Sequence, residues 1–131
     1  MIQVVDASVV VAALVDDSST GRWCEDTMQQ GDLAAPHLMP FEASNIIRRL
    51  VAHGELDASA GALAVDDLRR LPVDLAPYDL LAARVGELRG NLTSYDAAYV
   101  ATAELVGARL LTLDAKLARS PGPTCQITTP P

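Results

Sequence analysis

Short strand-like runs alternate with helical segments along the 131 residues, and this alternation limits the possible folds more than any other feature. The predicted strands lie at residues 2–5, 33–35, 73–75 and 109–113, with a weak last one near 126–128. Strands that alternate with helices form a parallel sheet, because each helix returns the chain to the edge from which the previous strand started. The sequence therefore predicts an α/β fold.

The segments between these strands have helical periodicity and helix-end signals. Pro40 suits a first helical turn, whereas Gly54 and Gly107 suit the ends of helices. The predicted helices cover residues 7–15, 19–30, 39–53, about 57–70, 77–89, 94–106 and 115–119. Neither a repeat nor a linker interrupts the pattern, so we expect one domain whose sheet is covered by helices on both faces.

The charge balance does not indicate a simple nucleic-acid-binding surface. Seventeen acidic and ten basic residues give a net charge of −7, which repels a phosphate backbone at long range. The arginines are scattered and Lys116 is the single lysine, so no basic stripe is visible. A nucleic-acid enzyme of this composition needs bases placed locally or a cation in an acidic cleft.

The sequence indicates neither a membrane protein nor a zinc site. The longest apolar run, at 7–15, is about half the length of a membrane span. The amino terminus also lacks the basic region that opens a signal peptide. Cys24 and Cys125 belong to no pattern with the spacing of metal ligands. We therefore expect a cytoplasmic protein.

Four acidic residues lie where predicted strands end or where the following helices begin: Asp6, Glu42, Asp96 and Asp114. In a parallel sheet these places share one edge, outside the carboxyl ends of the strands. Four carboxylates at one edge repel one another unless a cation neutralises them. Carboxylates and water are the ligands that magnesium and manganese prefer. The leading hypothesis is a divalent-metal site that activates water against a phosphodiester.

Each acid also has a structural explanation when taken alone. Asp6 and Asp114 are suited to capping the helices that follow them. Glu42 lies in a first helical turn, where a negative charge is favourable. Asp96 completes a capping-box pattern that begins at Thr93. The metal hypothesis therefore depends on the four acids sharing one edge.

Three other polar residues accompany the acids. Asn45 and Arg49 follow Glu42 on the same face of its helix, and that face either meets solvent or lines a cleft. Thr112 lies two residues before Asp114, so both side chains point to the same side if the strand continues that far. Together they would then orient a water or hold a metal-bound one.

Four short motifs occur in an order and at a spacing typical of one family. They are V-V-D-A-S at 4–8, A-P-H-L-M-P-F-E-A-S-N at 35–45, S-Y-D-A-A-Y-V-A-T-A-E at 94–104 and L-L-T-L-D at 110–114. In this ordered set the chain resembles the PIN-domain ribonucleases, specifically the toxins of VapBC toxin–antitoxin pairs. The resemblance covers nearly the whole chain.

The resemblance implies roles for the residues that match the family's motifs. Asp6 and Asp96 match its principal metal ligands, and the cation expected there is Mg²⁺ or Mn²⁺. Glu42 and Asp114 match the other two acids, which bind metal directly or through water, or position the attacking water. Thr112 matches a hydroxyl-bearing neighbour. These five residues form the expected catalytic set of a metal-dependent endoribonuclease.

The family also implies an architecture and partners. Residues 1–131 are expected to form a single PIN domain, a three-layer α/β/α sandwich around a short parallel sheet. The expected partners are an RNA substrate and a cognate VapB-type antitoxin, whose carboxy-terminal segment wraps the toxin. Homodimers and toxin–antitoxin hetero-oligomers are common in the family. Trp23, Cys24 and Met28 are candidates for the antitoxin-binding groove.

Two other functions are alternatives. A phosphoacceptor receiver would pair two acids after its first strand and carry a lysine after its last, and a phosphatase would need D-x-D where Ser8 stands. The residues present disfavour both. A catalytically silent PIN-fold interaction module is the second alternative, and the presence of all four acids argues against it.

Overall fold

The computed structural model describes all residues, 1–131, and contains one five-stranded sheet. Its strands are β1 (Ile2–Val5), β2 (Asp32–Pro36), β3 (Val73–Ala76), β4 (Arg109–Leu111) and β5 (Ile127–Thr128). They lie in the order β3-β2-β1-β4-β5, and every neighbouring pair is parallel. The prediction of a parallel α/β sheet is confirmed.

Seven helices connect these strands and form the outer layers. They are α1 (Ala7–Val15), α2 (Ser19–Met28), α3 (Met39–Ala52), α4 (Ala58–Arg70), α5 (Tyr78–Glu87), α6 (Ser94–Val106) and α7 (Ala115–Ala118). Helix α1 packs against α2, α3 and α4, whereas α6 packs against α5 and against strands β1, β2 and β4. The structure therefore confirms the α/β/α sandwich. None of the helices is long and apolar enough to cross a membrane.

The predicted elements match the observed ones closely, with one difference that affects the site. Strand β4 ends at Leu111, two residues before the predicted end. The Thr112 N–H still donates to the Thr128 carbonyl of β5 at 3.1 Å, and the Asp114 carboxylate then accepts hydrogen bonds from the backbone N–H groups of Lys116 and Leu117 at the start of α7. The prediction that Thr112 and Asp114 point to the same side required the strand to continue to Asp114. The strand ends before that residue, so this requirement is not met.

The order of the strands creates a crevice at one edge of the sheet. From β1 the chain builds outward through β2 and β3, and it then returns to place β4 on the other side of β1. Connections that diverge in this way leave a gap outside the carboxyl ends of the two central strands. Val5 pairs with Leu111 across this junction, so Asp6 and Thr112 are the first residues beyond it.

The core is built from small and branched side chains, which let the layers approach closely. Helix α6 carries seven consecutive buried residues, Ala97–Ala103, and is enclosed on several sides. Val4, Val5 and Leu111 from the central strands are completely buried beside it. Four of the seven helix residues are alanines, so the backbone of α6 can lie close to the sheet, and its first turn is held at the crevice.

Gly21 lets α2 pack directly against the end of α1, and this contact provides a test of the fold. A Cβ atom there would lie 1.8 Å from the Asp16 carbonyl oxygen. We expect Gly21→Ala to lower the free energy of unfolding by about 1–3 kcal/mol, measured by urea denaturation. Gly86→Ala is the control, because its Cβ would meet no atom within 4 Å. The control should be neutral or stabilising by up to about 1 kcal/mol. Equal stability of both variants would contradict the packing described.

Candidate active site

Asp6 occupies the centre of the crevice and is tied to both central strands. Its Oδ1 atom accepts hydrogen bonds from the backbone N–H groups of Ser8 at 2.9 Å and Val9 at 3.2 Å, and from the Ser8 hydroxyl. Its Oδ2 atom accepts from the Thr112 hydroxyl. Burial raises the pKa of Asp6, and the hydrogen bonds oppose that shift without cancelling it. Asp6 thus caps α1, as the structural explanation proposed, and also faces the crevice.

Glu42 reaches the crevice from the first turn of α3. Its Oε1 atom accepts a hydrogen bond of 2.5 Å from the Tyr99 hydroxyl on α6, while no protein group donates to Oε2. Burial raises the pKa of Glu42, the charges of Asp6 and Asp96 raise it further, and the Tyr99 hydrogen bond counteracts them. One oxygen of this carboxylate is therefore fixed and the other is free.

Tyr99 is a site residue that the sequence analysis missed. It is 3% exposed, and burial, together with its bond to Glu42, raises the pKa of its phenol, so the hydroxyl remains a proton donor. The signal was its position three residues after Asp96, on the same face of α6. That position was obscured by the apolar, alanine-rich sequence around it.

Asp96 and Asp114 also lie at helix starts, but their carboxylates are used differently. Thr93 caps α6 as predicted, accepting from the Asp96 backbone N–H at 3.1 Å, and the same Thr93 hydroxyl lies beside the Asp96 carboxylate, which caps no helix. Burial raises the pKa of Asp96, the charges of Asp114 and Asp6 add to the shift, and the Thr93 hydroxyl opposes it. The Asp114 Oδ1 atom caps α7, with N–H donors at 2.9 and 3.2 Å.

The four acids line a single pocket of about 280 Å³. The remaining lining residues are Ala7, Ser8, Asn45, Ile46, Arg49 and Tyr99. The structure thus brings the predicted acids together at one edge of the sheet, as their positions at the strand and helix ends predicted. Asn45 and Arg49, which the sequence left between solvent and cleft, belong to the wall of this pocket.

The carboxylates suit a divalent cation that keeps part of its water shell. The charges of neighbouring acids raise the pKa values of Glu42 and Asp96, and a bound positive charge would relieve that repulsion. No group of three or more His, Cys, Asp or Glu side chains is positioned to hold a metal ion together. The donors therefore fit an ion bound directly by one or two carboxylates and otherwise by water, which is common for magnesium.

Thr112 acts on the pocket indirectly. Its side chain is completely buried, its hydroxyl donates to Asp6, and its Oγ1 atom accepts from the Asp114 backbone N–H at 3.1 Å. Both hydrogen-bonding directions of the hydroxyl are thus occupied by protein groups. Thr112 holds Asp6 and the start of α7 in register, and it is not among the residues that line the pocket.

The chain is similar to known proteins along nearly its whole length. The sequence pattern of the PIN domain family matches residues 4–122. The chain is 38% identical over 128 residues to ribonuclease VapC9 of Mycobacterium tuberculosis, with 98% of each chain covered. It is 35% identical over 125 residues to ribonuclease VapC1 of the same organism, which covers 95% of this chain and 94% of that one.

Two solved structures share the architecture. PAE2754 from Pyrobaculum aerophilum superposes with a TM-score of 0.69 at 25% identity, covering 97% of this chain and 83% of that one. VapBC2 from Rickettsia felis, solved bound to a DNA fragment from its promoter, also gives a TM-score of 0.69, at 14% identity and 98% coverage of each chain. The second likeness concerns the fold alone.

The repulsion within the pocket predicts a stability effect for Asp96→Asn. Folding raises the pKa of Asp96, so the folded state binds its proton more tightly than the unfolded chain does. The carboxylate therefore costs stability as pH rises from about 4 through the raised value. Asparagine carries no such charge. We expect the metal-free variant to be more stable than the parent at neutral pH, by up to about 1 kcal/mol after solvent screening.

Thermal unfolding in a chelator, at neutral pH and below about pH 4, measures this difference, which should shrink at the lower pH. Asp67→Asn, an exposed acid on α4, is the matched control and should leave stability unchanged. Added magnesium should stabilise the parent more than the Asp96→Asn protein. A variant that is less stable than the parent at neutral pH would contradict the repulsion.

Proposed function

We propose a function for this chain on the basis of its family. The chain belongs to the PIN domain family, whose sequence pattern matches residues 4–122. We infer that it is an endoribonuclease that hydrolyses RNA phosphodiester bonds with the help of a divalent cation, and that it is the toxin of a type II toxin–antitoxin pair. The relatives named ribonuclease VapC9 and ribonuclease VapC1 support this inference over nearly the whole chain.

The observation that carries the proposal is the single pocket lined by Asp6, Glu42, Asp96 and Asp114. Acids alone repel a phosphodiester, and a chain of net charge −7 adds to that repulsion. A pocket of this kind suits phosphate chemistry only together with a cation. Metal dependence is general in the family, and we propose Mg²⁺, with Mn²⁺ as a substitute, because oxygen ligands favour both ions.

We propose Asp6 and Asp96 as the direct ligands. The Asp96 carboxylate lines the pocket and caps no helix, and that of Asp6 is fixed at the junction of β1 and β4. A bound divalent ion would offset phosphate charge and lower the pKa of a bound water. Fixing Asp6 by the Ser8 and Thr112 hydroxyls means that little reorganisation is needed when the substrate enters.

Glu42 and Asp114 are proposed to orient the attacking water. The Tyr99 hydroxyl fixes one oxygen of Glu42, so its free Oε2 atom is available to accept a hydrogen bond from water. Burial raises the pKa of Glu42, which makes the carboxylate a better proton acceptor than an exposed one. Asp114 faces the same pocket from the start of α7, opposite the helix that carries Glu42.

RNA cleavage by the purified chain tests this assignment. We expect cleavage with magnesium or manganese that stops with a chelator and falls at least about 100-fold in Asp6→Asn or Asp96→Asn, because the two acids act as a unit. RNA 5′ ends mapped after induced expression would identify the cut sites. Asp67→Asn is the control and should cut normally.

The outcomes separate the candidate functions. Cleavage that persists in both variants would overturn the metal-ligand assignment. A folded protein that binds metal and does not cut RNA would instead favour the catalytically silent PIN-fold module.

A VapB-type antitoxin is the proposed protein partner, and a groove beside α1 and α2 is its proposed docking site. This groove holds about 630 Å³ between α1, α2 and the turn that follows α4. Its floor includes Leu14, Met28 and Leu71, and it has an acidic rim and no basic residue. Of the candidates named from the sequence, Met28 lines the groove, whereas Cys24 is completely buried in the core. A homodimer stays a prediction.

The acidic rim gives a test of this docking site. Asp32→Lys with Asp74→Lys reverses two exposed rim charges, which should weaken binding of a basic, amphipathic antitoxin segment by at least about tenfold. Asp67→Lys with Asp79→Lys makes the same change of net charge at exposed positions outside the groove. Binding of the antitoxin encoded by the neighbouring open reading frame, measured by calorimetry, compares the pairs. Equal affinities would exclude the groove.

A further inference from the structure

The acidic pocket has one cationic residue in its wall. Arg49 on α3 is the single Arg, Lys or His among the lining residues. Seven of the other eight arginines contact an acceptor in the protein, whereas Arg49 makes neither an ion pair nor a side-chain hydrogen bond. Its guanidinium therefore presents unused donors at the rim of the pocket.

Arg49 does not act as the counter-charge of the acids. The ion pairs of the protein do not include Arg49, so its guanidinium is not paired with any of the four acids. It lies seven residues beyond Glu42 on the same helical face, about 10 Å farther along α3. The positive charge thus stands beside the acidic centre without neutralising it.

Asn45 fills the space between Glu42 and Arg49 and presents donors as well. The Arg48 Nε atom donates to the Asn45 Oδ1 atom at 3.0 Å, which fixes the orientation of the amide. The Asn45 NH₂ group, with two donors and no acceptor in the protein, is then directed away from Arg48. Along this face of α3, Glu42 only accepts hydrogen bonds, whereas Asn45 and Arg49 both have free donors.

We propose that Asn45 and Arg49 form a subsite for a backbone phosphate of the RNA, next to the phosphate that is cleaved. This proposal rests on the proposed ribonuclease function. It adds that the RNA strand runs along α3. Amide and guanidinium donors bind phosphate oxygens, and guanidinium does so in a bidentate manner. The distance from Glu42 places this contact on a flanking phosphate. Such a contact positions the strand and carries no sequence information.

A salt titration measures the contact directly. We would follow binding of fluorescent, random-sequence, single-stranded RNA in the Asp96→Asn background, where cleavage is not expected. Arg49→Gln should weaken binding about tenfold at low salt and reduce the slope of log K against log salt by about 0.7. Asn45→Asp, which replaces donors with a carboxylate, should also weaken binding. Both side chains are exposed, so the variants should fold.

Arg69→Gln is the matched control. Arg69 is exposed on the last turn of α4, outside the pocket, and its partner Asp66 keeps a second arginine, Arg70. The substitution changes net charge as Arg49→Gln does and should leave the slope unchanged. In cleavage assays with Asp96 intact, Arg49→Gln should raise KM and leave kcat unchanged, as for a group that binds ground state and transition state alike.

The outcomes separate the subsite from the function on which it rests. Equal slopes for Arg49→Gln and Arg69→Gln, in a chain that cuts RNA, would overturn the subsite alone. A chain that does not cut RNA and still shows the Arg49-dependent slope would retain the subsite and lose the proposed function. If Arg49→Gln weakens only the antitoxin complex, Arg49 belongs to the protein interface and the subsite is wrong.

Discussion

The hydrogen bonds that hold Asp6 between β1 and β4 are the interaction on which the site depends. A carboxylate at the end of a buried strand is costly unless its oxygens are paired. Here Ser8 and Thr112 supply the hydroxyl donors, and the backbone of α1 supplies the N–H groups. The same contacts fix the two central strands relative to each other. The position of every other acid is defined relative to this junction.

Capping and function are combined in this pocket. Asp6 and Asp114 cap the helices that follow them, as considerations of local structure alone would predict. They also face the pocket, since in a parallel sheet the helices that follow the strands begin at the edge where the strands end. Asp96 differs because Thr93 supplies the cap of its helix. Its carboxylate is therefore not used as a helix cap and lines the pocket.

Much of the fold could be predicted because its signals are local. The strands are short buried runs bounded by turn residues, and α6 is marked by Thr93 at its start and Gly107 at its end. That the four acids lie close together could be predicted from the parallel topology, which brings the ends of the strands to one edge of the sheet. The end of β4 was predicted two residues too late, because the strand-like run from Arg109 to Leu113 continues the strand pattern beyond Leu111. The role of Tyr99 depends on a side-chain contact between helices distant in sequence, and the free donors of Asn45 depend on which side-chain atom Arg48 contacts within α3.

The junction of β1 with β4 has a consequence for how the protein is made. Asp6 and Thr112 are separated by 106 positions in the chain, and their contact closes the pocket. During synthesis, Asp6 leaves the ribosome early and has neither its hydroxyl partner nor its neighbouring strand. The carboxylates are assembled around one site only after β4 has entered the sheet. An activity that needs all four acids in one pocket can therefore appear only after nearly the whole chain has been made.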